Sequence, residues 1–281
     1  MNISLKVLIL PLPSLIMNID LEFLCSEVCQ LAKSVGRFIK HEGKNFAVNR
    51  VEVKGKNDFV SYVDKASEKK IIEKLSELIP SSGFIAEEGT STKKGEVYNW
   101  IIDPLDGTTN FIHGIPCFAV SIALIRNNKM VLGVVYEINQ DECFYAWEHS
   151  KAYLNGVEIK VSEAATVADA LLATGFPYYD YSKMTEYLEL FKYFMQHSHG
   201  LRRLGSAATD LAYVACGRFE GFYEYGLQPW DVAAGAFIVE QAGGRVTDFS
   251  GGNNYVFGKE LVAGNSACFE EFLQVIKNHF E

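Results

Sequence analysis

The sequence predicts a layered arrangement of α-helices and β-strands in two closely joined halves. Three observations carry that expectation. Stretches with apolar residues at helical spacing alternate with short apolar runs of strand length. Turn signals at Asn127-Asn128 and Asn155-Gly156 follow or separate several of those runs. No repeat, linker or low-complexity segment divides the 281 residues, a length that suits one large domain or two intimate halves.

Residues 1–16 are apolar but too short to span a bilayer, and Pro11 and Pro13 interrupt them. Met17 stands directly before an amphipathic segment, so 1–16 is expected to be a non-native or disordered leader and 17–281 the folded domain. From Asp20 to about Lys40, Leu21, Leu24, Val28, Leu31, Val35 and Ile39 recur at helical spacing, with Asp20 as N-cap and Gly43 as stop. A loop carrying Lys54, Lys56 and Asn57-Asp58 leads to a second helix, about Val63–Leu78, that ends before Pro80. Strands are expected at Phe84–Ala86, Trp100–Ile102, Ala119–Ile125, Val131–Tyr136 and Phe144–Trp147. The two halves meet at about residue 160.

The second half begins with a strand at Ala170–Thr174, a helix at Lys183–Gln196 and a short strand at Leu201–Leu204. Ser206–Cys216 reads as a buried small-residue helix with Ser206 as N-cap and Gly217 as stop. Phe219–Tyr223 and Arg245–Asp248 read as strands around a helix at Asp231–Gln241, closed by Gly243-Gly244. Leu261–Ala263 and Phe269–Phe280 finish the chain as strand and helix.

Composition bounds the function. Hydrophobic content of 48% and charge of 22% are ordinary for a globular protein. The net charge of -9 argues against a nucleic-acid-binding surface. It still permits an anionic substrate if bound cations supply local positive charge. Six cysteines are scattered without zinc-type spacing, which points to reduced thiols in a cytoplasmic protein.

Trp100 to Phe111, W-I-I-D-P-L-D-G-T-T-N-F, organises the chain. A buried strand runs into Asp103 and Asp106, held either side of Pro104 and Leu105. Pro104 is expected to stop the strand, Gly107 to allow unusual backbone, and Thr108 and Thr109 to cap the segment after them. Taken alone, D-P-x-D-G is ordinary turn chemistry. It is not alone. Glu87 and Glu88 follow F-I-A at another strand end, Asp231 follows Pro229-Trp230 at a helix start, and Asp64 opens the second helix. Each could be a plain cap or solvated turn. Gathered at one sheet edge they would repel by roughly 4 kcal/mol per close pair and would need cations, or else protonate. An all-oxygen donor set favours Mg2+ over Zn2+.

The runs F-I-A-E-E, W-I-I-D-P-L-D-G-T-T-N-F and P-W-D-V-A-A-G-A-F-I-V-E-Q-A-G-G resemble the signature motifs of the inositol monophosphatase family, and the spacing of G-S-A-A, Glu224 and Trp230-Asp231 matches too. The resemblance runs from about Met17 to the C-terminus. It implies an α+β fold, a layered αβαβα sandwich, in a homodimeric, lithium-sensitive phosphomonoesterase using two or three Mg2+ ions. Carried over motif by motif, Glu87, Asp103 and the Leu105 carbonyl would hold one ion. Asp103, Asp106 and Asp231 would hold a second, and Glu87 and Asp64 would lie near a third, weaker ion through waters. Thr108 and Glu87 would orient and deprotonate water, and the Gly107 and Thr108 amides would hold phosphate oxygens. Asp106, the Ala207 amide and Glu224 would contact the alcohol, with Glu88 behind the ligands. Glu224, six residues before Trp230, tips the substrate towards inositol 1-phosphate over fructose 1,6-bisphosphate, histidinol phosphate or 3'-phosphoadenosine nucleotides.

Other residues keep two readings. His113 is expected to be a loop residue. Tyr178, Tyr179 and Tyr181 either rim the pocket or pack. Lys54 and Lys56 either approach the phosphate or alternate on a solvated strand. Arg202-Arg203 either binds a second anionic group or meets a partner, including a transcription complex, which some bacterial relatives join.

Overall fold

Helix α1 (Leu21–Gly43) realises the predicted apolar stripe, burying Leu24, Val28, Val35 and Ile39. The Asp20 carboxylate accepts the amides of Glu22 and Phe23, both at 3.1 Å, satisfying donors a helix start leaves open. The computed structural model describes residues 19–44, 51–55, 58–177 and 180–280, with backbone alone for 51–55 and 58–61. The expected leader, Met17, Lys56, Asn57, Tyr178 and Tyr179 therefore lie outside the described residues.

The segment expected as a loop holds an antiparallel hairpin, β1 (Val51–Gly55) and β2 (Asp58–Ser61), with Val51 opposite Ser61. Its signal was the alternation V-E-V-K, which has strand period. Helix α2 (Tyr62–Leu78) follows, so Asp64 is its third residue and not its cap.

A seven-stranded sheet comes next, in order β3 (Gly83–Ala86), β4 (Tyr98–Asp106), β5 (Ala119–Arg126), β6 (Lys129–Glu137), β7 (Glu142–Trp147), β8 (Ala152–Leu154) and β9 (Val157–Ile159). Helix α3 (Thr108–His113) sits between β4 and β5. Only β3 and β4 run parallel. Asn127 and Asn128 adopt φ of 50° and 63°, and Asn155 and Gly156 adopt 49° and 88°, the left-handed pairs a tight hairpin requires. The expectation that Pro104 stops the strand is corrected. β4 continues to Asp106, and the register with β5 shifts between Asp103 and Asp106. β3 stops pairing at Ile102, so the missing Pro104 N–H falls where the ladder is already one-sided, and the strand bulges instead of ending.

The second sheet has five strands in the order β11-β10-β12-β14-β13. These are β10 (Leu171–Thr174), β11 (Gly200–Arg202), β12 (Gly221–Tyr225), β13 (Arg245–Thr247) and β14 (Glu260–Gly264). Between them run α4 (Met184–His197), α5 (Ala207–Ala215) and α6 (Pro229–Gln241), and α7 (Phe269–Phe280) closes the chain. β12 lies two residues beyond the expected Phe219–Tyr223, because Phe219 is taken up by the turn after α5, its amide donating to the Tyr213 carbonyl.

Strand alternation sorts the side chains into cores. Trp100, Ile102, Ile122 and Val134 face α1 and α2, whereas Ile101, Ala123 and Val135 face α5 and α6. In the smaller sheet Ala173, Phe222 and Ala263 join that central core, whereas Leu172, Tyr223 and Val262 join Phe194 and Phe272 of α4 and α7. The order of layers is α1/α2, large sheet, α5/α6, small sheet, α4/α7, the αβαβα arrangement. The central layer is tight: a Cβ on Gly235 would fall 2.6 Å from Leu211 Cβ, and one on Gly133 2.8 Å from the Ala234 carbonyl. Gly235→Val is therefore expected to lower unfolding stability by about 2 kcal/mol through overpacking. Urea denaturation reads this, and an unshifted midpoint would contradict the packing.

Candidate active site

Four chain segments end at one cavity of about 380 Å³. β4 delivers Asp103, Leu105 and Asp106, β3 leads into Glu87, and the first turns of α5 and α6 bring Ala207 and Asp231. Gly107, Thr108 and Glu224 line the same cavity. Asp103, Asp106 and Asp231 each offer an oxygen, and those oxygens lie within 4.8 Å of one another. Asp64 and Glu88 are not in the lining. Asp64 reaches the site through Thr108, whose hydroxyl lies 2.9 Å from Asp64 Oδ1 and 3.0 Å from the Leu105 carbonyl. Glu88 stands behind, its amide donating to Glu68 Oε2 at 2.7 Å.

Each acidic side chain is held by local bonds. Asp103 Oδ1 accepts the Leu105 amide at 2.9 Å, an Asx turn that folds the bulge. Asp106 Oδ2 accepts the Ser206 hydroxyl at 2.6 Å and the Ala208 amide at 2.8 Å, which couples β4 to the start of α5. Asp231 occupies the third position of α6, not its cap, and accepts the Gln228 amide at 2.7 Å. Ser121 on β5 donates to the Trp230 carbonyl at 3.1 Å and fixes the α6 start against the sheet. Gly107 takes φ of 92°, and a Cβ there would come 3.0 Å from the Cys117 carbonyl, so glycine is required on both counts.

Electrostatics follow from crowding. Burial, then the charges of Asp231, Glu88 and Asp64, push Glu87 well above the usual carboxylate range. Burial, then Glu87, Asp106 and Asp231, do the same to Asp103. Burial pushes Asp106 up to about 6 against its hydrogen bonds, and burial with the Asp106 charge pushes Asp231 to about 7. Glu87 Oε2 is buried with no hydrogen-bond partner among the described residues. An all-carboxylate set short of positive charge, with a buried oxygen left over, fits a hard divalent cation.

The structure adds residues the sequence did not single out, Asp210 of α5 and Phe176 among them, and brings Arg203, which the sequence did single out, into the same lining with its guanidinium 5.3 Å from the Phe176 ring centre. Asn110 Nδ2 donates to the carbonyls of Cys117 and Leu204, both at 2.8 Å, and so clamps α3 to the G-S-A-A turn. A Cβ on Gly175 would fall 1.9 Å from Glu224 Oε2, so only glycine admits Glu224 to its place. Asp210 did carry a signal, a lone acid inside the apolar run A-A-T-D-L-A. His113, expected in a loop, is instead the last residue of helix α3, exposed and outside the lining. Tyr181 is 42% exposed and likewise absent from the lining. Arg202 is exposed, its Nη1 donating to the Leu201 carbonyl at 3.0 Å.

A raised carboxyl stabilises the metal-free protein fully below its unfolded value, about 4, and that contribution is lost as pH rises through the folded value, for Asp231 about 7. In EDTA, Asp231→Asn is therefore expected to be more stable than the unsubstituted protein by about 1–2 kcal/mol near pH 8, the gap closing towards about pH 5. Thermal unfolding across that window measures it. A variant less stable than its parent at the alkaline end would contradict the crowding.

Comparison with known proteins places this arrangement. The chain is 41% identical over 253 residues to the Nus factor SuhB of Pseudomonas aeruginosa, covering 88% of this chain and 93% of that one. It is 38% identical over 255 residues to an inositol-1-monophosphatase of Mesorhizobium japonicum, covering 90% and 96%. The structure of extragenic suppressor protein suhB from Bartonella henselae superposes with a TM-score of 0.86 at 40% identity, over 91% of this chain and 98% of that one. The sequence profile of the inositol monophosphatase family matches residues 20–281, and the chain belongs to that family.

Proposed function

We propose that the protein is a Mg2+-dependent phosphatase that hydrolyses a phosphate monoester, with inositol 1-phosphate as the first candidate. The observation that carries the reading is the convergence of Asp103, Asp106 and Asp231 with Glu87 in one cavity that also holds Glu224. Glu87, Asp103 and the Leu105 carbonyl would hold one ion, Asp103, Asp106 and Asp231 a second, and Asp64 would serve a third. Bound there, the ions would supply Lewis acidity towards the phosphoryl oxygens and the leaving alkoxide, the terms a slow phosphate-ester hydrolysis most needs.

The chain's own groups do the rest. Thr108, whose hydroxyl is anchored between Asp64 and the Leu105 carbonyl, positions the attacking water, and Glu87 takes its proton. The amides of Gly107 and Thr108 receive phosphate oxygens. Asp106, the Ala207 amide and Glu224 orient the alcohol. Glu224 is 6% exposed and kept well above the usual carboxylate range by burial and by Asp231, while Arg203 opposes that rise. Lithium inhibition, a homodimer and a cytoplasmic location belong to the same proposal. Among the described residues no helix is long and apolar enough to cross a membrane.

A second reading, association with a transcription complex, is favoured by relatives that carry the name Nus factor SuhB. Asp103→Asn separates the two. In the proposed enzyme it lowers Mg2+-dependent phosphate release by at least about a thousandfold, the scale of removing a central transition-state interaction. A purely scaffolding protein would lose no partner binding and would have no Mg2+-dependent turnover to lose. Phosphate release is measured from inositol 1-phosphate, fructose 1,6-bisphosphate, histidinol phosphate and adenosine 3',5'-bisphosphate, each with Mg2+, EDTA or lithium. Silence of the unsubstituted protein on every ester would overturn the enzymatic reading.

A further inference from the structure

Tyr187 belongs to α4, a layer away from the cavity, yet its polar end is committed to the cavity wall. It is buried in the outer core of the small sheet, with ring centres 5.7 Å from Tyr223, 5.5 Å from Tyr225 and 6.5 Å from Phe176. Its hydroxyl donates to the Gly175 carbonyl and shares a hydrogen bond with Thr174 Oγ1, which itself lies 2.8 Å from the Tyr223 carbonyl. A buried phenol needs a partner, so such a bond on its own would be ordinary core chemistry.

The place of that carbonyl sets this bond apart. β10 ends at Thr174, and residues 175–177 then line the cavity. Gly175 lies so close to Glu224 that a Cβ there would fall 1.9 Å from Oε2. Strand alternation turns Glu224 towards the cavity, while Tyr223 and Tyr225 face the core of α4 and α7. The wall is thus held from behind by Tyr187 and meets Glu224 in front. Burial pushes the Tyr187 phenol well above its usual range, so it remains a donor at any working pH. We propose that Tyr187 is a positioning residue: through the Gly175 carbonyl it fixes the wall of residues 175–177, and with it the place of Glu224. It is absent from the cavity lining and acts only through that backbone. The inference rests on the phosphatase reading above.

Tyr187→Phe keeps the ring and removes only the donor. On inositol 1-phosphate, or on whichever ester of the panel the unsubstituted protein turns over, it is expected to raise KM about five- to tenfold, the scale of one hydrogen bond, with kcat within about threefold. Inhibition by inorganic phosphate, which meets the Gly107 and Thr108 amides, is expected to be unchanged. Thr174→Val, which removes the hydroxyl beside Tyr187, is expected to raise KM in the same way, and the double variant to add little, because both act through one carbonyl. Phe194→Leu controls for lost packing, since Phe194 lies in the same core with its ring centre 5.3 Å from that of Tyr223. It is expected to lower the unfolding midpoint and leave KM unmoved. A folded Tyr187→Phe with unchanged KM overturns the inference while leaving the phosphatase intact. An equal rise of KM in Phe194→Leu, or weakened phosphate inhibition in Tyr187→Phe, reduces Tyr187 to packing and overturns it too. Silence of the unsubstituted protein on every ester removes the enzymatic reading itself, and the inference with it.

Discussion

The constraint on which the rest depends is the mutual repulsion of carboxyls that the fold forces together out of water. Asp103, Asp106 and Asp231 present oxygens within 4.8 Å, and Glu87 joins them from a neighbouring strand end. Close like charges in a partly desolvated cleft are worth several kcal/mol of destabilisation. No described lysine or arginine other than Arg203 lines the cavity to offset that cost. The chain therefore holds these groups where they are least stable alone and most useful to a divalent cation, a typical exchange of stability for function.

Much of the architecture reads as bracing against that repulsion. The Asx turn at Asp103, the Ser206 and Ala208 bonds to Asp106, and the Gln228 bond to Asp231 each fix one carboxylate from its own backbone neighbourhood or from one helix start. Asn110 ties α3 to the turn before α5, and Ser121 ties β5 to the start of α6. The central layer supplies rigidity, because Gly133 and Gly235 let α6 approach the sheet and α5 more closely than any side chain would permit. Packing thus fixes the positions from which the site is assembled.

The layered fold and the clustered acids were legible because they are written in local signals. Periodicity gave α1, α4 and α7, and acids directly after apolar runs or Pro-Trp marked Glu87, Asp103, Asp106 and Asp231. What was not legible depends on partners far along the chain. Pro104 ends a strand or bulges it according to where β3 stops, which no local rule reveals. Gly175 matters only because Glu224 comes to lie against it, and Asn110 only because Leu204 does. The hairpin of β1 and β2 was only half legible: the segment reads as a loop around Asn57-Asp58, with strand alternation as one of two readings of Lys54 and Lys56. Asp210 carried only a local mark, one acid inside an apolar helix, and its place in the cavity lining depends on residues far along the chain.

The central claim is that these crowded carboxyls form a seat for divalent cations and give up their remaining protons as the cations arrive. Calorimetric titration of the EDTA-treated protein with Mg2+ near neutral pH, in two buffers of different ionisation enthalpy, tests it most directly. The account predicts saturable binding whose apparent enthalpy differs between buffers, because protons leave Asp106 and Asp231 as the ions enter. Binding with no proton release, or no binding at millimolar Mg2+, would contradict it.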